Sequence, residues 1–143
     1  MQEEIVQQMA DKLYEIGKQF GFDRLEIRSP GWWGTDIYVI NRHALQIEID
    51  WRKNAVFMYA VYLKNGELPD KHTIYNYPDG QWCRKFLTEI YKTKITYPKK
   101  YVKDFKNRCS REFLFYCFDF YVQLIQNDPA TLKAFFESLD FYS

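Results

Sequence analysis

The sequence predicts an α+β fold: an N-terminal helix, an antiparallel sheet of four to five strands, and C-terminal helices packed on one face. Three observations carry this. Apolar residues recur at helical spacing near the start. They alternate with polar residues through the middle. Strong helix-start signals stand near the end.

The first element is a helix over residues 2–20. Ile5, Met9, Leu13, Ile16 and Phe20 form one apolar stripe, and Gly21 supplies the C-terminal stop. A strand follows at 24–28, with Leu25 and Ile27 on one side. Pro30, Gly31 and Gly34 interrupt the chain before a second strand at 36–41. The clearest strand is 45–51, where Leu45, Ile47, Ile49 and Trp51 alternate with Gln46, Glu48 and Asp50. Residues 55–63 form a strand rich in Val, Phe and Tyr, and a shorter one is expected at 73–77. Asp79 is placed to cap a helix over 80–92. Ser110 caps a helix over 111–126, and Asp128-Pro129 opens a last helix that runs to about residue 139. The 143 residues suit one domain, 1–143, with no repeat or linker.

A hairpin centred on Lys53-Asn54 pairs Ile49 with Met58 and Trp51 with Val56. Leu45, Ile47, Ile49, Trp51, Val56, Met58 and Tyr62 then fill the core face. The other face mixes Glu48 and Asp50 with Phe57 and Tyr59. Either a loop or helix covers these aromatics, or they form a docking face with rigid anchors beside partner-selecting charges. A one-residue slip of register would exchange the two faces. Trp32 and Trp33, between Pro30-Gly31 and Gly34, cannot both enter the core from a tight turn, so at least one is expected at the surface. The candidate partner-binding residues are therefore Trp32, Trp33, Glu48, Asp50, Phe57 and Tyr59. Reversing Glu48 and Asp50 together is expected to weaken binding while barely changing stability.

Catalytic patterns are lacking. No glycine-rich phosphate loop, zinc-protease helix or nucleophile elbow occurs. His43 and His72 have no spaced partner, and three cysteines at 83, 109 and 117 suggest neither a disulfide framework nor a zinc site. No cofactor, metal or small-molecule substrate is expected. The acidic, amphipathic start is wrong for a signal peptide, and no apolar run reaches the length of a membrane span. Cytoplasmic residence follows as the expectation.

Net charge is +1, but residues 1–80 carry −3 and residues 81–143 carry +4. Eight Lys and Arg lie between positions 92 and 111, interleaved with Tyr97, Tyr101 and Phe105. Such a stretch can be a solvated face, attract an acidic protein, or hold a nucleic-acid backbone.

The stretch EIDWRKNAVFMYAVYLKNGELPDKHTIYNYPDGQWCRKFLTEIYK, from Glu48 to Lys92, resembles small immunity proteins of Gram-positive bacteria, encoded beside secreted polymorphic toxins. The resemblant pieces are EIDWRKN, FMYAVYLKNGELP and DGQWCRKFLTEIY, roughly a third of the chain. The resemblance implies a cytoplasmic, non-enzymatic protein that binds and neutralises a cognate protein toxin. It supplies no contact residues. The near-neutral charge departs from the acidic character common among inhibitors of basic nucleases, which leaves the toxin's activity open. The alternative is a small phage or host regulator that binds another protein or nucleic acid through residues 92–111.

Overall fold

The structure is a computed structural model that describes residues 2–70 and 72–139. The N-terminal stripe forms α1 (Gln2–Lys18), two residues shorter than expected, and Gly21 with φ 81° lies in the turn that follows. Four strands follow: β1 (Arg24–Gly31), β2 (Gly34–Ile40), β3 (Ala44–Asp50) and β4 (Ala55–Val61). A short β5 (Arg84–Phe86) completes an antiparallel sheet of order β1-β2-β3-β4-β5. Helix α2 (Leu87–Ile90), helix α3 (Lys99–Lys103) and a 3-10 turn (Phe105–Cys109) lead to α4 (Arg111–Asn127) and α5 (Pro129–Leu139). The chain is α+β, with α1 and α4 laid on one face of the sheet.

Both C-terminal helices start as the caps predict. Ser110 Oγ accepts from Phe113 N at 3.1 Å, and Asp128 Oδ1 accepts from Thr131 N at 3.2 Å. Leu45, Ile47, Ile49, Val56 and Met58 point inward with Ile5, Met9, Leu13 and Ile16 of α1 and Leu114, Phe118, Tyr121 and Ile125 of α4. Two predicted core residues sit nearer the margin. Trp51 is half-buried and its indole donates to Thr35 Oγ1 at 2.9 Å. Tyr62 is buried outside the main cluster, between His43 and Trp82.

The hairpin register differs from the expected one by two residues. Ile49 pairs with Val56 and Ile47 with Met58, because the turn takes in residues 51–54. The Asp50 carboxylate accepts from Arg52 N and Lys53 N at 3.0 and 3.1 Å, and Asn54 adopts φ 50°. A two-residue shift keeps every side chain on its own face, so the core assignment survives.

Two elements are corrected. Residues 80–92 do not form one helix, since Gly80 has φ 92° and Arg84–Phe86 pair with the open edge of β4. Only Leu87–Ile90 is helical there. Residues 73–77 do not form a strand either. They fold back on the chain through Cys83 N to Tyr75 O and Tyr77 N to Gln81 O. An Asn65-Gly66 turn, both residues at positive φ, starts this excursion.

That excursion packs Leu68 against the outer sheet face. Tyr38, Ile40, Ala44, Tyr59, Val61 and Leu63 form a second apolar cluster, flanked by Phe57, Leu68 and Phe86. At the opposite edge, β1 leaves Leu25 and Ile27 exposed, with Pro30 and a bulge between Arg28 and Gly31 interrupting further pairing.

All three cysteines are free. Cys83 and Cys117 are buried and Cys109 is exposed. Burial pushes the Cys117 thiol up to about 11 and raises Cys83 as well. Ellman titration of the native protein is expected to find one fast thiol, and titration after denaturation all three. A second fast thiol in the native state would contradict this burial. Among the described residues, no helix is long and apolar enough to cross a membrane.

Candidate functional site

Beside the second apolar cluster, between the outer sheet face and the folded-back segment, lies a cleft of about 930 Å³. Its position follows from strand alternation. In β2, Ile37 and Val39 face the core while Asp36 and Tyr38 face out, and in β3 Ile47 and Ile49 face in while Gln46 and Glu48 face out. The register sets Asp36 beside Glu48 and Tyr38 beside Gln46. Arg28, Trp33, Tyr75 and Arg84 add the walls, and the folded-back segment supplies the roof at Pro69 and Ile74.

Two arginines tie roof to floor. Arg84 Nε donates to Ile74 O at 2.6 Å, and its Nη1 donates to Gln46 Oε1 at 3.2 Å and lies 3.5 Å from Glu48 Oε2. The guanidinium stacks 4.4 Å from the Tyr59 ring centre and 5.3 Å from that of Tyr75. Tyr59 Oη donates to Glu48 Oε1 at 3.0 Å, and burial with the nearby Glu48 charge raises the phenol well above its usual range. Arg28 Nη1 donates to Pro69 O at 3.1 Å while its Nε pairs with Glu26 at 2.5 Å. Each arginine thus has a carboxylate and a roof carbonyl.

Asp36 is different. It accepts one hydrogen bond, from Gln46 Nε2 at 3.1 Å. Burial pushes its carboxyl from the ordinary 3.8 to about 6; the Gln46 bond and the Arg84 and Arg28 charges oppose the rise, and Glu48 adds to it. The folded state therefore holds this proton more tightly than the unfolded chain. Ionised Asp36 weakens the fold: the penalty is absent below the unfolded value of 3.8 and complete above about 6. Asp36→Asn is expected to raise the denaturation midpoint near pH 7.5 and to leave it unchanged near pH 3.5. Equal effects at both pH values would contradict the assignment.

The mouth of the cleft is aromatic and apolar. Trp32 is 76% exposed, Trp33 41%, Ile74 53% and Tyr75 50%. The two indoles meet edge to face at 6.2 Å. Gly31 permits this arrangement, because a Cβ there would lie 2.2 Å from the Trp33 ring.

The six candidate residues divide. Glu48 and Trp33 line the cleft, and Trp32 stands at the hairpin tip beside it. Asp50 caps its own turn. Tyr59 is 2% exposed, and half-buried Phe57 packs edge-on against Phe86. Glu48 is tied to Tyr59 and Arg84, so reversing Glu48 and Asp50 together disturbs the network and the turn; it is not a neutral surface change. Asp36, Tyr38, Arg84, Arg28 and Tyr75 join the site without having been singled out. The alternation of Asp36 and Tyr38 with Ile37 and Val39 was the available signal for β2. Asn65-Gly66 was the signal for the fold-back.

The two histidines stay apart. His72 lines the cleft from the roof segment, and His43 is buried beside Tyr62 and Phe136. Among the described residues, no group of three or more His, Cys, Asp or Glu could hold a metal ion. In the basic stretch, Tyr101 is buried against Phe113 and Tyr116, whereas Phe105 and Val102 are 75% and 62% exposed. Lys100 pairs with Glu112, and Arg111 with Glu4 at 3.4 Å. Comparison with protein-family models, curated proteins and solved structures finds no match.

Proposed function

We propose that this chain is an immunity protein that binds and neutralises a cognate protein toxin in the cytoplasm, without catalysis, through the outer sheet face. One observation carries the reading: Trp32, Trp33, Ile74 and Tyr75 stand exposed around a cleft whose floor holds Asp36 and Glu48. Tryptophan and tyrosine most often dominate protein-binding energy, because they bury large area with little conformational entropy to lose. Exposed apolar groups clustered beside oriented charges mark an interaction surface more than an ordinary solvated face. The resemblance over residues 48–92 narrows the partner from any protein to a toxin. Co-expression with the toxin encoded beside this chain tests it. Restored growth and a co-purifying complex are expected; toxicity undiminished at full expression of this chain would overturn the proposal.

A second reading is a regulator that binds nucleic acid through residues 92–111. Exposed Phe105 beside Lys103 and Lys106 favours it, since such rings stack on bases. Tight, sequence-dependent RNA or DNA binding at physiological salt would select this reading.

A further inference from the structure

We infer that the cleft is a guanidinium-binding site, with the Asp36 carboxylate as anchor and an arginine side chain of the docked protein as its occupant. The inference rests on reading the cleft as a protein-docking site and names the group that enters it.

The first ground is the state of Asp36. A carboxylate offers about four acceptor positions, and Gln46 Nε2 takes one. No other hydrogen bond to this carboxylate and no ion pair with it occurs among the described residues, although it lies on the floor of an open cleft. Gln46 cannot turn away to serve another acceptor, because its Oε1 is held by Arg84 Nη1. The carboxylate is thus aimed and held, with acceptor positions still open.

The second ground is charge. Among the described residues, Asp36, Glu48 and Asp70 line the cleft against Arg28 and Arg84, three carboxylates to two guanidiniums. Both cations are engaged: Arg28 by Glu26 and Pro69 O, Arg84 by Glu48, Gln46 and Ile74 O. An entering anion would meet unneutralised Asp36, whereas an entering cation would relieve it. Relief is worth most where burial has already made the charge costly, as the upward displacement of Asp36 to about 6 indicates.

The third ground is shape. Trp33, Tyr38 and Tyr75 line the walls. The cleft already stacks guanidinium groups on such rings, Arg28 at 5.7 Å from Tyr38 and Arg84 at 5.3 Å from Tyr75. Among the described residues, no cation of the chain lies over Trp33. A planar group that stacks on an indole and bonds a carboxylate in its own plane is a guanidinium, which the compact ammonium of lysine does not match.

The test titrates the ¹⁵N-labelled protein with Nα-acetyl-L-arginine methylamide, its citrulline analogue and its glutamate analogue. Citrulline keeps the shape of arginine without the charge. Saturable shifts of the Trp33 indole N–H and the Gln46 side-chain amide are expected with the arginine compound. The citrulline compound should bind at least about tenfold more weakly, the loss expected for one charge-assisted hydrogen bond. Arginine binding should also weaken between pH 7.5 and pH 5. A proton then competes at Asp36, which faces Arg28, Arg84 and Glu48 across the cleft and Asp70 and His72 from the roof. Asp36→Asn retains an acceptor for Gln46 and should lose the preference for arginine over citrulline. Equal binding of arginine and citrulline by the wild type, preference for the glutamate compound, no saturable shift, or undiminished preference in Asp36→Asn would overturn the inference. Toxin capture that persists without arginine binding removes this inference alone. Arginine binding without toxin neutralisation removes the immunity reading alone.

Discussion

Replacing Ile49 by alanine should lower the unfolding free energy by about 2–5 kcal/mol, the range for truncating a large aliphatic side chain in a packed core. Ile49 is fully buried in β3, paired with Thr35 on one side and Val56 on the other. It belongs to the cluster shared by the sheet, α1 and α4. The loss combines the transfer of the removed methylenes with the void that three packed elements cannot close. The neighbouring positions sharpen the test, because Glu48 and Asp50 lie on the other face. Chemical denaturation reads the effect as a lower midpoint at unchanged slope. A loss below about 0.5 kcal/mol, typical of surface substitutions, would mean that β3 presents the opposite face.

The elements legible in the sequence are those whose local signal and tertiary setting agree. The alternation through Leu45, Ile47 and Ile49 needs only a sheet with one buried face, and it appears as β3. Ser110 and Asp128 cap α4 and α5 because the helices behind them are apolar enough to dock. Residues 80–92 show the reverse. Their composition suits a helix, but the free edge of β4 captures Arg84–Phe86, and ladder bonds to an existing sheet outweigh propensity. The two-residue error at the hairpin arose because Asp50 widens the turn through its own carboxylate.

The site was only partly legible for a related reason. Glu48 and the two tryptophans are visible as an alternating acid and an exposed pair. The importance of Asp36 depends on three distant events: β2 pairing with β3, Arg84 arriving on β5, and residues 72–75 folding over the sheet. Arg84 is separated from Gln46 by 38 positions, and no local pattern announces their contact. Phe57 and Tyr59 illustrate the converse. They alternate as docking residues would, yet β5 brings Phe86 over them, 6.3 and 4.7 Å away ring to ring.

Docking through the cleft mouth has a large expected consequence. Removing Trp32 and Tyr75 together should weaken toxin binding by at least about 30-fold, the equivalent of one hot-spot residue of 2 kcal/mol. Losing Trp32, 76% exposed, should change stability little, whereas losing Tyr75, 50% exposed and packed on Arg84 and Phe86, should lower it modestly without unfolding the chain. Phe105, 75% exposed in the basic segment, provides the matched control, an equally exposed aromatic on the competing surface. The decisive measurement is the calorimetric dissociation constant of the purified toxin for the wild type, for Trp32→Ala/Tyr75→Ala and for Phe105→Ala. A large loss in the double variant with wild-type affinity in Phe105→Ala is the predicted result. Wild-type affinity in the double variant, with the loss transferred to Phe105→Ala, would contradict docking at the cleft and move the interface to residues 92–111.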